Sequence, residues 1–344
     1  MVTFVVRRIA YSIPVLLVAS LLVFVFVHAT SDPLAKYRQS KDLTLVAREG
    51  LKQGIFQQPC KITGVAPNRI EVCKKAPVLK QYWYWLSHFA QGKLGQSFVT
   101  NHAVSKDLTN AFGNTLQLIV WGVLLSAILA VLIGVYSAVR QYSVLDYLFT
   151  GLSFIGISMP PFWFGLIAID VASFRAQKWF HLKDAPLFSL GLHGHHSPGF
   201  FNGVFDYGRH LVLPVLTLTI QIIAEWSRYQ RSSMLDVMSS DYIRTAQAKG
   251  LKRRKVIFKH GLRNALIPLV TVMAIDIGGL FGGLIVTETI FSISGMGSLF
   301  FNALQNGDTQ ILLPWLMVTA VFIILFNLLA DVLYGALDPR IRLS

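Results

Sequence analysis

The sequence predicts an all-α integral membrane protein with about six transmembrane helices and an inserted extracytoplasmic lobe. Three observations point there. Hydrophobic residues make up 53% of the 344 residues and charged residues only 14%, which leaves too little polar surface to cover a water-soluble globule. Six apolar runs approach or exceed the length needed to cross the hydrocarbon core. The basic residues, in net excess by +14, gather beside alternate runs.

The runs fall at about 9–28, 114–138, 147–173, 211–227, 264–286 and 312–334, against a need for about 20 residues per span. The first run could be read as a secretion signal, since Arg7 and Arg8 precede it. It is longer than a signal core and lacks a clear small-residue cleavage site, so a retained helix is expected over 1–28. The fourth run, His210 to Trp226, is short and ends beside the ionisable Glu225, making it the weakest of the six.

Arg7 and Arg8, Arg140, the ten basic residues between Arg228 and Arg263, and finally Arg340 and Arg342 all flank runs on one side. The positive-inside bias puts these segments and both termini in the cytoplasm. The basic run at 228–263 is therefore read as a topology signal, and no nucleic-acid partner is expected. The opposite side receives the segments at about 29–113, 174–210 and 287–311, the first long enough for a folded lobe; along the chain that lobe is followed by a core of five spans at 114–335 and a short cytoplasmic tail at 336–344. Trp83, Tyr84, Trp85 and Phe89 in the lobe suit packing at the membrane interface.

Both cysteines, Cys60 and Cys73, lie in that lobe. An oxidising compartment permits a bridge, which would stabilise a small domain by about 3 kcal/mol in the chain-entropy account. Two thiols alone make a poor zinc site. His193, His195 and His196 form a local cluster among glycines and read as a surface loop rather than a metal site.

Within the spans, Pro160 and Pro161 remove helix hydrogen bonds and predict a kink or unwound turn, either a packing irregularity or the wall of a cavity that makes both prolines candidate pathway or gate residues. Asp276, in Ala274-Ile275-Asp276-Ile277-Gly278-Gly279, is an acid deep in an apolar run and so a candidate pathway or gate residue. Asp170, Glu225, Glu288 and Asp331 are weaker candidates because they sit nearer span ends, where solvent is in reach. No GxxxxGK[ST], HExxH or GxSxG pattern is present, so no catalytic site, cofactor or metal is expected on this chain.

Between the fourth and fifth runs, Ser240 suits a helix cap, Asp241 the first turn, Lys249 the last turn and Gly250 a left-handed stop, which predicts a short helix over 240–251. A helix so short needs something to pack against.

That segment, Asp241-Tyr242-Ile243-Arg244-Thr245-Ala246-Gln247-Ala248-Lys249-Gly250-Leu251, resembles the coupling loop of ATP-binding cassette importer permeases. The general pattern there is Glu-Ala-Ala, three residues, then Gly. Here Arg244-Thr245-Ala246 stands at the triplet and Gly250 at the glycine, with the glutamate absent. With His260 to Pro268 included, the stretch resembles the dipeptide, oligopeptide and nickel branch, in which the triplet is commonly altered in this way. Gly92 to Ser97, Ser158 to Gly165, Glu288 to Gly297 and Asn327 to Arg340 extend the resemblance over nearly the whole chain, and the chain is similar to the B-type permeases of dipeptide importers.

The resemblance implies a type I importer transmembrane domain that pairs with a related second permease, two cytoplasmic ATPases carrying ATP and Mg, and an extracytoplasmic peptide-binding protein. Asp241, Arg244, Thr245, Ala246, Gly250 and Leu251 would then couple to the ATPases. Nickel or another small solute stays open beside peptide. A secondary carrier would need a relay acid or an inverted repeat, and neither is visible.

Overall fold

The computed structural model describes residues 2–30, 32, 34, 43–63, 70–182, 184–187, 190–192 and 200–337. Among the described residues, five stretches are helical, long and apolar enough to cross a membrane. They belong to α1 (Val2–Thr30), α4 (Val104–Val139), α8 (Phe200–Met238), the run Arg253–Leu280 ending in α11 (Arg263–Leu280), and α14 (Thr309–Leu337). A sixth is obtained if the bent pair Val144–Ser158 and Pro161–Trp179 counts as one span.

The third run is not one helix. It divides into α5 (Val144–Ser158) and α6 (Pro161–Ile169), which continues through a π turn at Asp170–Arg175 into α7 (Ala176–Trp179). The bend is 103°. Two successive prolines explain it, because each disfavours the helical region for the residue before it. Met159 accordingly takes ψ 127 and Pro160 ψ 138, both extended, while Pro161 sits at the start of α6, where a missing N–H costs nothing.

The fourth run also differs from expectation, since α8 has 39 residues with Pro214 inside it. It looked short because its polar residues are interior ones. Thr217, Thr219, Ser227 and Gln230 are all buried, which lowers the hydropathy of a helix whose most apolar window is 61% buried in the protein. Helices α5, α6 and α11 all pack on it. Small residues permit close approach to α8: a Cβ at Gly156 of α5 would stand 3.1 Å from that of Ala224, and one at Gly134 of α4 would stand 2.6 Å from that of Gln230.

Contacts group the chain into two compact units. The first comprises residues 1–9, 112–298 and 322–344. Its largest core joins Leu118, Leu213, Leu218, Phe281, Phe291 and Ile293, with Phe281 stacked on Phe112 and Phe322.

The second comprises residues 10–111 and 299–321. Here α2 (Leu43–Lys52) precedes an antiparallel hairpin of β1 (Phe56–Thr63) and β2 (Ile70–Lys75), followed by α3 (Val78–Ala90). Phe56 pairs with Lys75 and Thr63 with Ile70, with an irregularity between Gln57 and Lys61. Cys60 and Cys73 thus lie on neighbouring strands. The Cys60 side chain lies outside the described residues, as do His193, His195, His196, Arg340 and Arg342.

The Gly92–Ser97 segment closes this second unit. Gly95 has φ +81, and the turn it permits brings Ser97 Oγ to donate to the buried Asp308 Oδ2 at 2.6 Å, with the backbone N–H of Phe98 donating to the same oxygen at 2.9 Å. Asp308 directly precedes α14, so one carboxylate ties that loop to the start of the last span.

Candidate functional site

The short helix foreseen over 240–251 is α9, Asp241–Ala248. Ser240 occupies the N-cap position, but its hydroxyl donates to Val237 O at 2.5 Å instead of capping the helix. Ile243 and Ala246 are buried against Val237, Met238, Leu251 and Val256, which supplies the packing that eight residues need. The opposite side is open to solvent: Asp241, Arg244, Thr245, Gln247 and Ala248 are exposed, with Arg244 3.6 Å from Asp241.

Gly250 takes φ +74 with nothing near its absent Cβ, so conformation rather than space demands glycine there. Of the residues assigned to coupling, Ala246 is part of this chain's own core and Leu251 is half-buried beside it. Asp241, Arg244, Thr245 and Gly250 remain on the surface. Beyond the turn, α10 (Arg253–Lys255) and a π turn at Val256–Leu262 lead into α11. Asn264 Nδ2 donates to Tyr242 Oη at 2.9 Å and so ties α9 to α11.

Asp276 is half-buried on α11 and accepts a 2.7 Å hydrogen bond from Trp226 Nε1 of α8. Glu225 is exposed and interacts electrostatically with both Asp276 and Arg228. The Arg228 guanidinium lies 4.8 Å over the Phe154 ring of α5, four residues before Ser158 and the break at Pro160 and Pro161. Gly278 lets α14 come close to this part of α11, since a Cβ there would meet that of Phe326 at 2.9 Å. The fold therefore brings Asp276, Glu225 and Arg228 together on neighbouring helices, with one aromatic donor holding the deepest acid.

The expectation that Glu288 sits within reach of solvent is overturned. It lies in α12 (Ile285–Ile290) and is 0% exposed. Its Oε1 accepts from Thr115 Oγ1 at 2.6 Å, and its Oε2 accepts from Ser298 N at 2.8 Å, in the first turn of α13 (Met296–Gln305). Thr115 Oγ1 in turn accepts from Met296 N at 2.7 Å. A carboxylate at a helix N-terminus satisfies donors that have no partner inside the helix. Burial pushes the Glu288 carboxyl above the usual range, and hydrogen bonds from Thr115, Ser298 and Gly297 oppose that push. A Cβ at Gly295 would fall 2.3 Å from Glu288 Oε1.

The other acids are in ion pairs: Asp170 with Arg175 at 2.6 Å and Asp331 with Arg8 at 3.2 Å. Sequence reading missed Asp146, which is buried and receives two bonds from Arg231 at 2.9 and 3.0 Å, joining α5 to α8. Its only sequence signal was an acid in the first turn of a span.

Five or six apolar helices among the described residues, with a short solvent-facing helix in a basic connection, define a multi-span membrane protein. Residues 130–343 match the family model described as binding-protein-dependent transport system inner membrane component. The oligopeptide transport system permease protein AppB of Bacillus subtilis is 37% identical over 344 residues, covering 99% of this chain and 100% of that protein. The dipeptide transport system permease protein DppB of Escherichia coli K12 is 34% identical over 358 residues, covering 99% of each. A crystal structure of an amino acid ABC transporter with histidines aligns at 10% identity and a TM-score of 0.45, covering 75% of this chain and 98% of that one. The chain belongs to the family of binding-protein-dependent transport system inner membrane components. It is a permease subunit rather than an enzyme.

Proposed function

We propose that this chain forms half of the translocation pathway of an ATP-driven peptide importer in a bacterial inner membrane. A related second permease supplies the other half, two cytoplasmic ATPases bind ATP and Mg, and an extracytoplasmic protein delivers the peptide. Both termini and the 228–263 segment are cytoplasmic, and residues 29–113 form the extracytoplasmic lobe. A Cys60–Cys73 bridge closes the hairpin of that lobe; mass spectrometry of unreduced protein from membranes checks it, and free thiols at both positions refute it. Peptide is favoured over nickel by the relatives, which are named for oligopeptide and dipeptide transport.

The observation that carries the reading is α9. It is seated on the chain's own core by Ile243 and Ala246 and ended by a glycine at φ +74, while its polar side stays open for a partner. Closure of the ATPases would push on this side, and α9 would pass the movement to α8 and α11 through the residues beneath it. Asp276, Glu225 and the break at Pro160 and Pro161 are assigned to the pathway.

The test compares Gly250→Val with Lys252→Ala in the reconstituted complex. A β-branched residue is strained at positive φ, so Gly250→Val leaves the spans inserted, weakens pull-down of the ATPases and abolishes substrate-stimulated hydrolysis. Lys252→Ala has a much smaller effect. Normal assembly and coupling in Gly250→Val would remove the coupling assignment.

A further inference from the structure

We propose that α3 is a lipid-embedded helix, clamped beside α1, whose Leu79 and Trp83 flank lies in the acyl region of the bilayer leaflet at the Thr30 end of α1. The clamp is explicit. Tyr82 is buried, and its hydroxyl lies 2.7 Å from Ser20 Oγ and donates to the Leu17 carbonyl at 3.2 Å. Tyr82 and Trp85 also lie against the Phe24 ring, at 5.6 and 5.8 Å.

Ser20 stands ten residues before the end of α1, or about 15 Å along a helix axis rising 1.5 Å per residue. A tyrosine side chain is much shorter than that. The backbone of α3 must therefore run beside the apolar part of a span, not above it. That span is itself a lipid-facing helix, with only 11% of its most apolar window buried.

The three flanks of α3 carry three kinds of side chain. Gln81 and Tyr82 are buried in protein, with Gln81 Nε2 donating to Ala76 O at 2.7 Å. Lys80, Tyr84 and Ser87 form a polar flank, on which Tyr84 Oη donates to Lys52 O at 3.1 Å. Between these lie Leu79, 57% exposed, and Trp83, 54% exposed, one turn apart, with Ala90 further along the same side. An apolar flank at the depth of a lipid-facing span, bordered by a lysine and aromatic residues, fits hydrocarbon and the headgroup boundary. Lipid is thus the occupant whose surface is already continuous with α1.

The test places a nitroxide at Leu79→Cys, Trp83→Cys and Ser87→Cys in the full chain, reconstituted in phosphatidylcholine and phosphatidylglycerol bilayers. The unsubstituted chain measures labelling of Cys60 and Cys73. At 79 and 83, collision with oxygen should exceed collision with a water-soluble nickel chelate, and at 87 the order should reverse. Dominant collision with the chelate at 79 and 83 overturns the proposal, and so does protection from both, which would mean a protein covers the flank. Photocrosslinking from p-benzoylphenylalanine at position 79 in native membranes gives a decision without cysteine: an adduct with phospholipid supports the proposal, and an adduct with protein defeats it. Neither readout depends on the transported solute or on the ATPases.

Discussion

Glu288 and Asp276 are both carboxylates among glycines and apolar residues, yet their surroundings differ in kind. Glu288 is sealed from solvent, with both oxygens engaged by Thr115 and the first turn of α13. Asp276 is half-buried, bonded to Trp226 through one oxygen, and neighboured by the charged and exposed Glu225 and Arg228. A sealed acid with complete partners holds backbone in place. An acid with spare acceptor capacity beside open charges keeps the means to meet a passing solute.

The largest effect that separates the two is stability. Glu288→Ala strands a hydroxyl and backbone N–H groups in the interior at about 1–3 kcal/mol each, so the detergent-solubilised protein should lose about 3 kcal/mol or more and melt well below Asp276→Ala. Equal melting of the two variants would break the comparison.

Gly295→Ala comes next. Its Cβ meets Glu288 Oε1 at 2.3 Å, so a loss of about 1–3 kcal/mol is expected from overpacking. Combining it with Glu288→Ala should cost less than the sum, because the second change removes the clashing group. Strict additivity in melting experiments would show that Gly295 answers to something else.

Asp276→Asn should leave stability within about 0.5 kcal/mol, since an amide oxygen can still accept from Trp226. The effect belongs instead in uptake and in basal ATP hydrolysis by the reconstituted complex. Parent-like values for both would reduce Asp276 to packing.

The smallest effect is a pH slope. Burial raises the Glu288 carboxyl above its usual 4.5, so its favourable contribution is complete below that value and is lost as pH climbs through the raised one. Glu288→Gln should melt with a flatter dependence across that window, and an unchanged slope would assign the titration to another group.

Apolar length alone located α1, α4, α11 and α14, although α4 begins ten residues before the run at 114–138, because lipid demands long helices whatever their neighbours. The same rule misjudged α8. Ser227 and Gln230 are polar residues of a helix interior to the bundle, and no periodicity says which helix will be surrounded. Glu288 failed for a related reason: its distance from the span ends was read as access to solvent, while Thr115, Met296 and Ser298, far away in sequence or on another helix, close over it. Cap chemistry found α9 and its stop at Gly250, yet Ser240 bonds to Val237 and Ala246 turns inward, both matters of what lies beneath the helix.

The sequence by itself determined that the chain lives in a membrane, where its spans run, where a short helix interrupts the basic connection, and which family it resembles, since these depend on composition, local backbone preference and contiguous motifs. Only the tertiary structure decided that the double proline turns the chain by 103°, that Trp226 holds Asp276, that Glu288 is sealed and that Tyr82 seats α3 against α1. Each of these depends on residues brought together from distant helices or on the angle between two of them, and that information exists in no single stretch of chain.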